Sequence, residues 1–160
     1  MFDQTSASSV TPDTGEEDFT STLINASLDG IVVYDRDLRY TVFSPSIEKL
    51  CGMKREDVLG RNALEVFPFI KAIGLDQAIL KAMRGEECRA PIFPFTVPET
   101  GRMGFAEQQN FPLRNEQGEI VGVLGVIRDV TEFHKNLEEL AEKNRILELR
   151  VQELEQMSIE

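Results

Sequence analysis

The chain begins with polar residues and then takes up a helical pattern. Residues 1–13 are rich in Ser, Thr, Asp and Pro, a composition typical of a disordered lead-in. Within residues 14–28, Phe19, Leu23 and Ala26 fall at helical spacing, which predicts an N-terminal cap helix. Its apolar residues form a single stripe, so this helix must lay that stripe on another element of the fold.

The residues that follow have first the pattern of two strands and then that of several short helices. We predict strands over residues 31–34 and 39–43, joined by a tight turn, because β-branched and aromatic residues are concentrated there. Pro45 suits the first turn of a helix with Ser44 as its N-cap, and Gly52 suits the position just after its end. Further helices are predicted over residues 55–59, 63–66 and 70–83.

From Glu86 onward the pattern is that of β-structure. Strands are predicted over residues 88–96, 102–113 and 119–128, and Pro91 and Pro94 place the first of these at an edge or a bulge. The chain therefore holds two strands, several short helices and three further strands before its last helix. This segregation favours an α+β fold with an antiparallel sheet of five strands.

The C-terminal segment has a period of seven. With Val130 at heptad position a, Leu or Phe falls at each d position and one a position holds Asn, which favours two parallel helices in a single register. The predicted dimer seam consists of Phe133, Leu137, Leu140, Asn144, Leu147, Val151 and Leu154. The alternative is an amphipathic helix that packs on its own domain, since Ile146 and Leu149 lie off this seam.

Composition restricts the function. The 160 residues suffice for one domain plus an appendage, and 17 basic against 28 acidic residues give a net charge of −11. An acidic surface repels phosphate backbones and anionic lipid, so we expect no nucleic acid partner. Without a secretory signal or an apolar run that could cross a bilayer, we expect a cytoplasmic protein with no membrane insertion. Cys51 and Cys88 are then expected as reduced thiols, with one disulfide as the alternative.

Several short motifs follow one another in a characteristic order. They are Asp29-Gly30-Ile31, Leu50-Cys51-Gly52, Asp57-Val58-Leu59-Gly60-Arg61, Phe111-Pro112-Leu113, Gly118, Gly122 and Asp129-Val130-Thr131-Glu132. In this order the chain resembles the PAS (Per-Arnt-Sim) family of sensory domains over roughly residues 19–131, although Ser44 stands where the family often has Asn. The resemblance implies a PAS domain at 29–129, with its short helices on one face of the sheet, and a signalling coiled coil at 130–160.

The last motif joins the final strand to the C-terminal helix. Asp129 precedes Glu132 by three residues, so Asp129 is predicted to cap the helix while Glu132 reaches back. The resemblance implies that Asp129, Val130, Thr131 and Glu132 form the junction at which distortion of the sheet becomes movement of the helix. The alternative is that Asp129 is a helix cap and nothing more.

Relatives of this family that bind flavin or haem carry residues that this chain lacks. The light-oxygen-voltage branch forms a flavin adduct with a Cys where this chain has Ala63, and haem-binding relatives use a His on the helix predicted over residues 70–83. The single His, His134, lies beyond the junction and is expected on the surface, and two thiols cannot hold an iron–sulfur cluster. We therefore predict no cofactor, no metal and no catalytic site, and expect that the chain is not an enzyme.

The resemblance does imply a cavity for a small molecule. Side chains alternate along residues 102–113, and the face with Gln108 and Asn110 resembles the one that looks into the PAS cavity. Buried amides require partners, which are each other, water or a ligand. The apolar residues expected around them are Phe43, Phe67, Phe69, Ile73, Leu80, Val123 and Ile127. The alternative is that this face is solvated or satisfies itself; the opposite, Phe-bearing face is expected to receive the N-terminal helix.

These observations predict the sensory input and dimerisation module of a signal-transduction protein of the histidine kinase or cyclic-dinucleotide enzyme type. Its expected partners are a second copy of itself, in a parallel homodimer, and a downstream effector domain outside this chain. One alternative is a ligand-free structural dimerisation or protein-interaction domain. Another is a small enzyme or carrier built on the same fold.

Overall fold

The computed structural model describes residues 14–159, so the lead-in predicted at residues 1–13 lies outside the described residues. It begins with α1 (Thr14–Ala26), β1 (Gly30–Asp35) and β2 (Tyr40–Phe43). The short helices are α2 (Pro45–Cys51), α3 (Arg55–Val58), α4 (Ala63–Val66), α5 (Phe69–Ala72) and α6 (Leu75–Met83). The remaining elements are β3 (Cys88–Arg89), β4 (Phe93–Thr96), β5 (Met103–Arg114), β6 (Ile120–Asp129) and the long α7 (Thr131–Met157).

The strands form one antiparallel sheet in the order β2-β1-β6-β5, and β3 and β4 both pair with the outer edge of β5. Cys88 of β3 lies opposite Asn110, and Phe93 of β4 lies opposite Ala106. Since β3 and β4 occupy one strand position in succession, the sheet has five positions. The predicted α+β fold with a five-stranded antiparallel sheet is confirmed.

Two predicted elements are each divided in two by the structure. The helix predicted over residues 70–83 is interrupted before α6, where Gly74 adopts a φ of 77°. Glycine enters this left-handed conformation without the steric cost that other residues meet. The strand predicted over residues 88–96 is interrupted between β3 and β4, around Pro91, because proline has no N–H to donate to the ladder.

The core lies between the short helices and the inner face of the sheet. Alternation along β1 turns Val32 and Tyr34 inward, and α6 buries Ile79 and Ala82 against β5 and β6. Gly125 on β6 allows a close approach, since a Cβ there would lie 2.8 Å from both Gln108 Nε2 and Val32 Cγ2. The absence of that side chain lets Gln108 lie flat across the inner face of the sheet.

The outer face of the sheet is not covered by α1. Phe19 and Leu23 remain 65% and 56% exposed, so the expectation that α1 would lie on the Phe-bearing face does not hold within one chain. The Phe105 ring instead packs against His134 of α7, with ring centroids 4.1 Å apart and the rings tilted by 41°. The expectation that His134 is a plain surface residue is therefore wrong.

Candidate ligand cavity and signal junction

A cavity of about 400 Å³ lies between the inner face of the sheet and the short helices. Strands β1, β2, β4, β5 and β6 contribute to its wall, as do α2, α5 and the start of α6. Its lining consists of Val32, Tyr34, Tyr40, Phe43, Ile47, Leu50, Cys51, Phe67, Phe69, Ile70, Leu75, Phe93, Pro94, Phe95, Thr96, Gln108 and Ile127. None of these residues is Asp, Glu, Lys, Arg or His, and seven of them carry aromatic rings.

Five of the residues predicted for the pocket line this cavity, and four do not. Those in the wall are Phe43, Phe67, Phe69, Gln108 and Ile127. Outside it are Asn110 and Val123, which are fully buried, and Ile73 and Leu80, which are half-buried. The cavity thus lies toward α2, α5 and β4 rather than beneath the middle of α6.

Sequence reasoning missed the other twelve of the seventeen lining residues, some of which carry a signal in the sequence and some of which do not. Tyr34 shares the inward face of β1 with Val32, so the alternation of that strand could have revealed it. Phe95 and Thr96 carry no such signal, because only the position of β4 along the edge of β5 brings them to the cavity. Thr96 is exposed and lies at the rim.

A chain of hydrogen bonds runs along the polar side of the cavity. Asn110 Nδ2 donates to the Cys88 carbonyl oxygen at 3.2 Å. Gln108 Nε2 donates to Asn110 Oδ1 at 2.7 Å and to the Tyr34 hydroxyl oxygen at 3.2 Å. The Cys88 carbonyl can only accept, so it fixes the orientation of both amides. The sequence predicted that the two amides bond to each other, to water or to a ligand. The structure shows the first of these, a hydrogen bond between Gln108 and Asn110.

The ionisable groups in the cavity wall are neutral at physiological pH. Burial raises the pKa of Tyr34 to about 12, and the hydrogen bond from Gln108 opposes it only in part. Burial, reinforced by the neighbouring Tyr34, also raises the pKa of Tyr40, whose ring centroid lies 5.1 Å from that of Tyr34. Burial likewise raises the pKa of the Cys51 thiol. The wall therefore offers polar atoms without charge.

The junction is held by the carboxylate of Asp129. Its Oδ1 accepts hydrogen bonds from the Thr131 N–H at 3.0 Å and from the Thr131 hydroxyl, while Oδ2 pairs with Arg102 Nη2 at 2.8 Å. Partial burial acts to raise the pKa of Asp129, but the hydrogen bonds from Thr131 and Arg102 outweigh it and lower that pKa. The carboxylate thus ties the end of β6 to the first turn of α7.

The capping geometry at the junction differs from the prediction. The N-cap position of α7 belongs to Val130, which is buried and donates its N–H to the Phe105 carbonyl oxygen at 2.8 Å. Asp129 stands one residue earlier, and the described hydrogen bonds include none that the Glu132 carboxylate accepts from its N–H. Because Val130 is held by its own domain, the exposed apolar stripe of α7 begins at Phe133.

Phe95 connects the cavity to this junction. Its ring lines the cavity and also packs over Gly104, where a Cβ would lie 2.7 Å from Phe95 Cζ and 2.3 Å from Thr131 Oγ1. The Arg102 guanidinium lies 5.4 Å from the centroid of the same ring. A shift of Phe95 therefore meets the two residues that hold Asp129.

The predicted seam lies along one side of α7. Its apolar members are between 48% and 64% exposed, and Asn144 is exposed among them. Ile146 and Leu149, which lie off the seam, are exposed as well. Among residues 14–159 no helix is long and apolar enough to cross a membrane, and Cys51 and Cys88 are free thiols.

The architecture is matched by a known family over most of the chain. Residues 24–135 match the PAS fold. The chain belongs to the PAS family. The predicted resemblance is thereby confirmed, and the helix that follows the PAS domain is α7 (Thr131–Met157).

Two solved structures and one curated protein place this PAS chain among its relatives. The methanogenesis regulatory histidine kinase FilI of Methanothrix harundinacea is 23% identical over 126 residues, which are 79% of this chain and 14% of the kinase. An RNA-binding light-oxygen-voltage receptor superposes with a TM-score of 0.64 at 22% identity, over 92% of this chain and 43% of the receptor chain. The PAS domain of a Colwellia psychrerythraea protein gives 0.56 at 20% identity, over 73% and 98%.

All three relatives are distant in sequence, with identities of 20–23%. Below one quarter identity, the structural matches establish the fold alone. The chain spans about one seventh of the curated kinase, since it covers 14% of that protein. It is a PAS sensory domain, distantly related to this histidine kinase.

Proposed function

We propose that this PAS domain is the sensory input and dimerisation module of a larger cytoplasmic signalling protein of the histidine kinase or cyclic-dinucleotide enzyme type. It binds a small molecule in its cavity, has no catalytic activity of its own, and passes the signal through α7 to an effector domain outside this chain. The observation that carries the proposal is the double position of Phe95, in the cavity wall and against the start of α7.

The cavity volume supports a bound molecule. The space of about 400 Å³ has a largely apolar wall and opens to solvent at a rim that includes Thr96. Water that fills it finds few hydrogen-bond partners, because most of the wall is apolar. A molecule with apolar surface would displace this water and bury the wall, which is favourable by about 25 cal/mol per Å² of apolar surface.

The route from cavity to helix has three steps. A molecule in the cavity presses on Phe95, whose ring lies over Gly104 and under the Arg102 guanidinium. Movement of Arg102 alters its ion pair with Asp129, and Asp129 holds the first N–H of α7 through Thr131. The ion pair and the hydrogen bond to Thr131 are short, at 2.8 and 3.0 Å, so a displacement of Phe95 and Arg102 reaches α7 without rearrangement of the sheet.

The exposed stripe on α7 supports a parallel homodimer. The helix has 27 residues, about 40 Å at 1.5 Å per residue, and leaves its apolar d positions in water. A second copy would bury this stripe and pair the Asn144 side chains in one register. The dimer then sets the spacing of whatever follows α7.

One observation favours a second candidate, a ligand-free dimerisation domain. Gln108, Asn110 and Tyr34 already bond to one another, so no ligand is needed to satisfy the buried amide N–H groups. The domain would then serve only to hold two helices together.

The two candidates differ in what happens when the cavity is filled. Leu75→Phe adds volume from the helical side of the cavity and mimics a bound molecule. We expect this variant to change the rate of disulfide formation between two copies that carry Leu147→Cys by at least about two-fold, because α7 rotates within the dimer. The parent chain, with only Cys51 and Cys88, is the blank.

Leu64→Phe is the matched control. Leu64 is half-buried against the core on α4 and is not part of the cavity wall, so the same enlargement there should leave the cross-linking rate unchanged. Equal rates for Leu147→Cys alone and for Leu147→Cys combined with Leu75→Phe or with Leu64→Phe, in a chain that sedimentation shows to be dimeric, would favour the ligand-free domain.

A further inference from the structure

We infer that the cavity takes an uncharged aromatic molecule of one or two rings that donates an N–H or O–H hydrogen bond to Gln108 Oε1. This inference rests on the proposed function, because it specifies the ligand of the same cavity. It follows from the chemistry of the wall, from the orientation of one amide and from the size of the space.

The wall selects against charge. No Lys, Arg, His, Asp or Glu is among the residues that line the cavity, so a carboxylate, phosphate or ammonium group would find no counter-charge there. Tyr34 and Tyr40 cannot supply one either, since burial raises the pKa of both phenols well above neutrality. A charged ligand would lose its hydration without compensation.

The wall favours an aromatic ligand. Neighbouring rings form a continuous series, with centroids 6.2 Å apart for Tyr40 and Phe67, 5.9 Å for Phe67 and Phe69, and 6.3 Å for Phe69 and Phe93. These separations and tilts are those of favourable aromatic contacts, which a flat ring packed against the series would extend. A volume of about 400 Å³ lies at the small end of ligand pockets and suits one or two fused rings.

One acceptor in the wall remains without a protein partner. Both N–H groups of Gln108 are engaged, by Asn110 and by Tyr34, and the Cys88 carbonyl fixes this orientation through Asn110. Among the hydrogen bonds described for residues 14–159, none ends on Gln108 Oε1. No enclosed side-chain nitrogen or oxygen in that range lacks a partner, so Oε1 must face the cavity space. An acceptor there calls for a donor on the ligand.

Three small probes test the inference on the intact chain. Indole is bicyclic, uncharged and carries one N–H; benzofuran has the same shape with no donor; indole-3-carboxylate adds a charge. By calorimetry or saturation-transfer NMR, we expect indole to bind at least about five-fold more tightly than benzofuran, the ratio of one neutral hydrogen bond. We expect indole-3-carboxylate to bind at least about ten-fold more weakly than indole.

Variants identify the acceptor. Gln108→Leu should bring the indole-to-benzofuran ratio close to one, because it removes Oε1 at similar volume. Tyr34→Phe and Thr96→Val, which remove the hydroxyl groups of two other lining residues, should leave the ratio as in the parent. Should Gln108→Leu fail to fold, the ratio measured on the parent chain and on these two variants still decides the inference.

The remaining outcomes would contradict separate parts of the inference. Equal binding of indole and benzofuran to the parent, or a ratio lost in Thr96→Val, would overturn the role of Gln108. Tight binding of indole-3-carboxylate would overturn the uncharged class, and no binding of indole at its solubility limit would overturn the whole inference. The proposed function would survive that last result if Leu75→Phe still changed cross-linking at Leu147→Cys, since that experiment uses no ligand.

Discussion

The PAS domain and α7 are stabilised in opposite ways. In the domain, the inward residues of the strands and short helices form one buried cluster, and even the amides of Gln108 and Asn110 have partners within the chain. In α7, nearly every residue after Thr131 faces solvent, including the d positions Leu140 and Leu147. The difference shows that the domain contains its own core, while the helix needs a second surface to bury its stripe.

The dependence of α7 on a second helix is tested most directly at the predicted dimer seam. Leu140→Asp combined with Leu147→Asp should raise the dimer dissociation constant by about 100-fold or more, because each Leu forfeits roughly 1.5–3 kcal/mol of burial and Asp adds charge. Sedimentation equilibrium measures this. The thermal unfolding of the PAS domain should change little, because neither residue contacts it.

Ile146→Asp combined with Leu149→Asp is the control, as both residues are exposed on α7 but lie off the seam. This pair should leave the dimer intact. If the two double variants weakened the dimer equally, the heptad assignment would be wrong.

The self-sufficiency of the domain is tested at Asn110. Asn110→Leu leaves one N–H of the buried Gln108 amide without its acceptor, so the free energy of unfolding should fall by about 2 kcal/mol. Urea denaturation gives the value. Gln109→Leu makes the same kind of change one residue away on the other face of β5, and should stay within about 0.5 kcal/mol of the parent.

The predicted dimer seam of α7 can also be made wholly apolar, like the core of the domain. Asn144→Val replaces an amide at a core a position by an apolar side chain, so the melting temperature of the dimer should rise while the register loosens. With Leu147→Cys in both chains, disulfide trapping should give one alignment in the parent and several in the variant. A lower melting temperature for Asn144→Val would place Asn144 outside the dimer core.

The smallest effect concerns the junction between the two regions. Folding lowers the pKa of Asp129 from its ordinary value of 3.8, so its contribution to stability is complete above about pH 4 and is lost as pH falls through the lower, folded value. At pH 6, Asp129→Asn should melt at most a few degrees below the parent, because the Arg102 pair is half exposed to solvent.

That difference should be smaller at pH 2.5 than at pH 6, because below the ordinary pKa of 3.8 protonation of Asp129 progressively removes its contribution to stability. Glu116→Gln, in the exposed turn between β5 and β6, provides the comparison and should melt with the parent at both pH values. A difference for Asp129→Asn that persisted undiminished at pH 2.5 would mean that the carboxylate charge does not hold the junction.

The local elements followed from the sequence because each depends on a few neighbouring residues. The start of α2 at Pro45, its end at Gly52 with a φ of 73°, and the long β5 are as the spacing predicts. The Gln108 and Asn110 side chains lie on the inner face for the same reason, since alternation along a strand is a property of its backbone. Gly74 was not expected to divide a helix, because glycine is also tolerated inside one.

The spacing of apolar and polar residues is a local property of the chain. It was enough to predict the α+β order of elements, the inward position of the two amides and the heptad stripe on α7. Which distant segments meet could be learned only from the folded chain. Phe95, Arg102 and Asp129 come together because β4 and β6 lie on opposite edges of β5, a matter of pairing rather than of pattern. The same pairing set the boundary of the cavity, placing Tyr34 and Phe95 in its wall and Val123 outside it. Periodicity assigns a side chain to a face, whereas its neighbours on that face depend on how strands and helices pack across the whole chain.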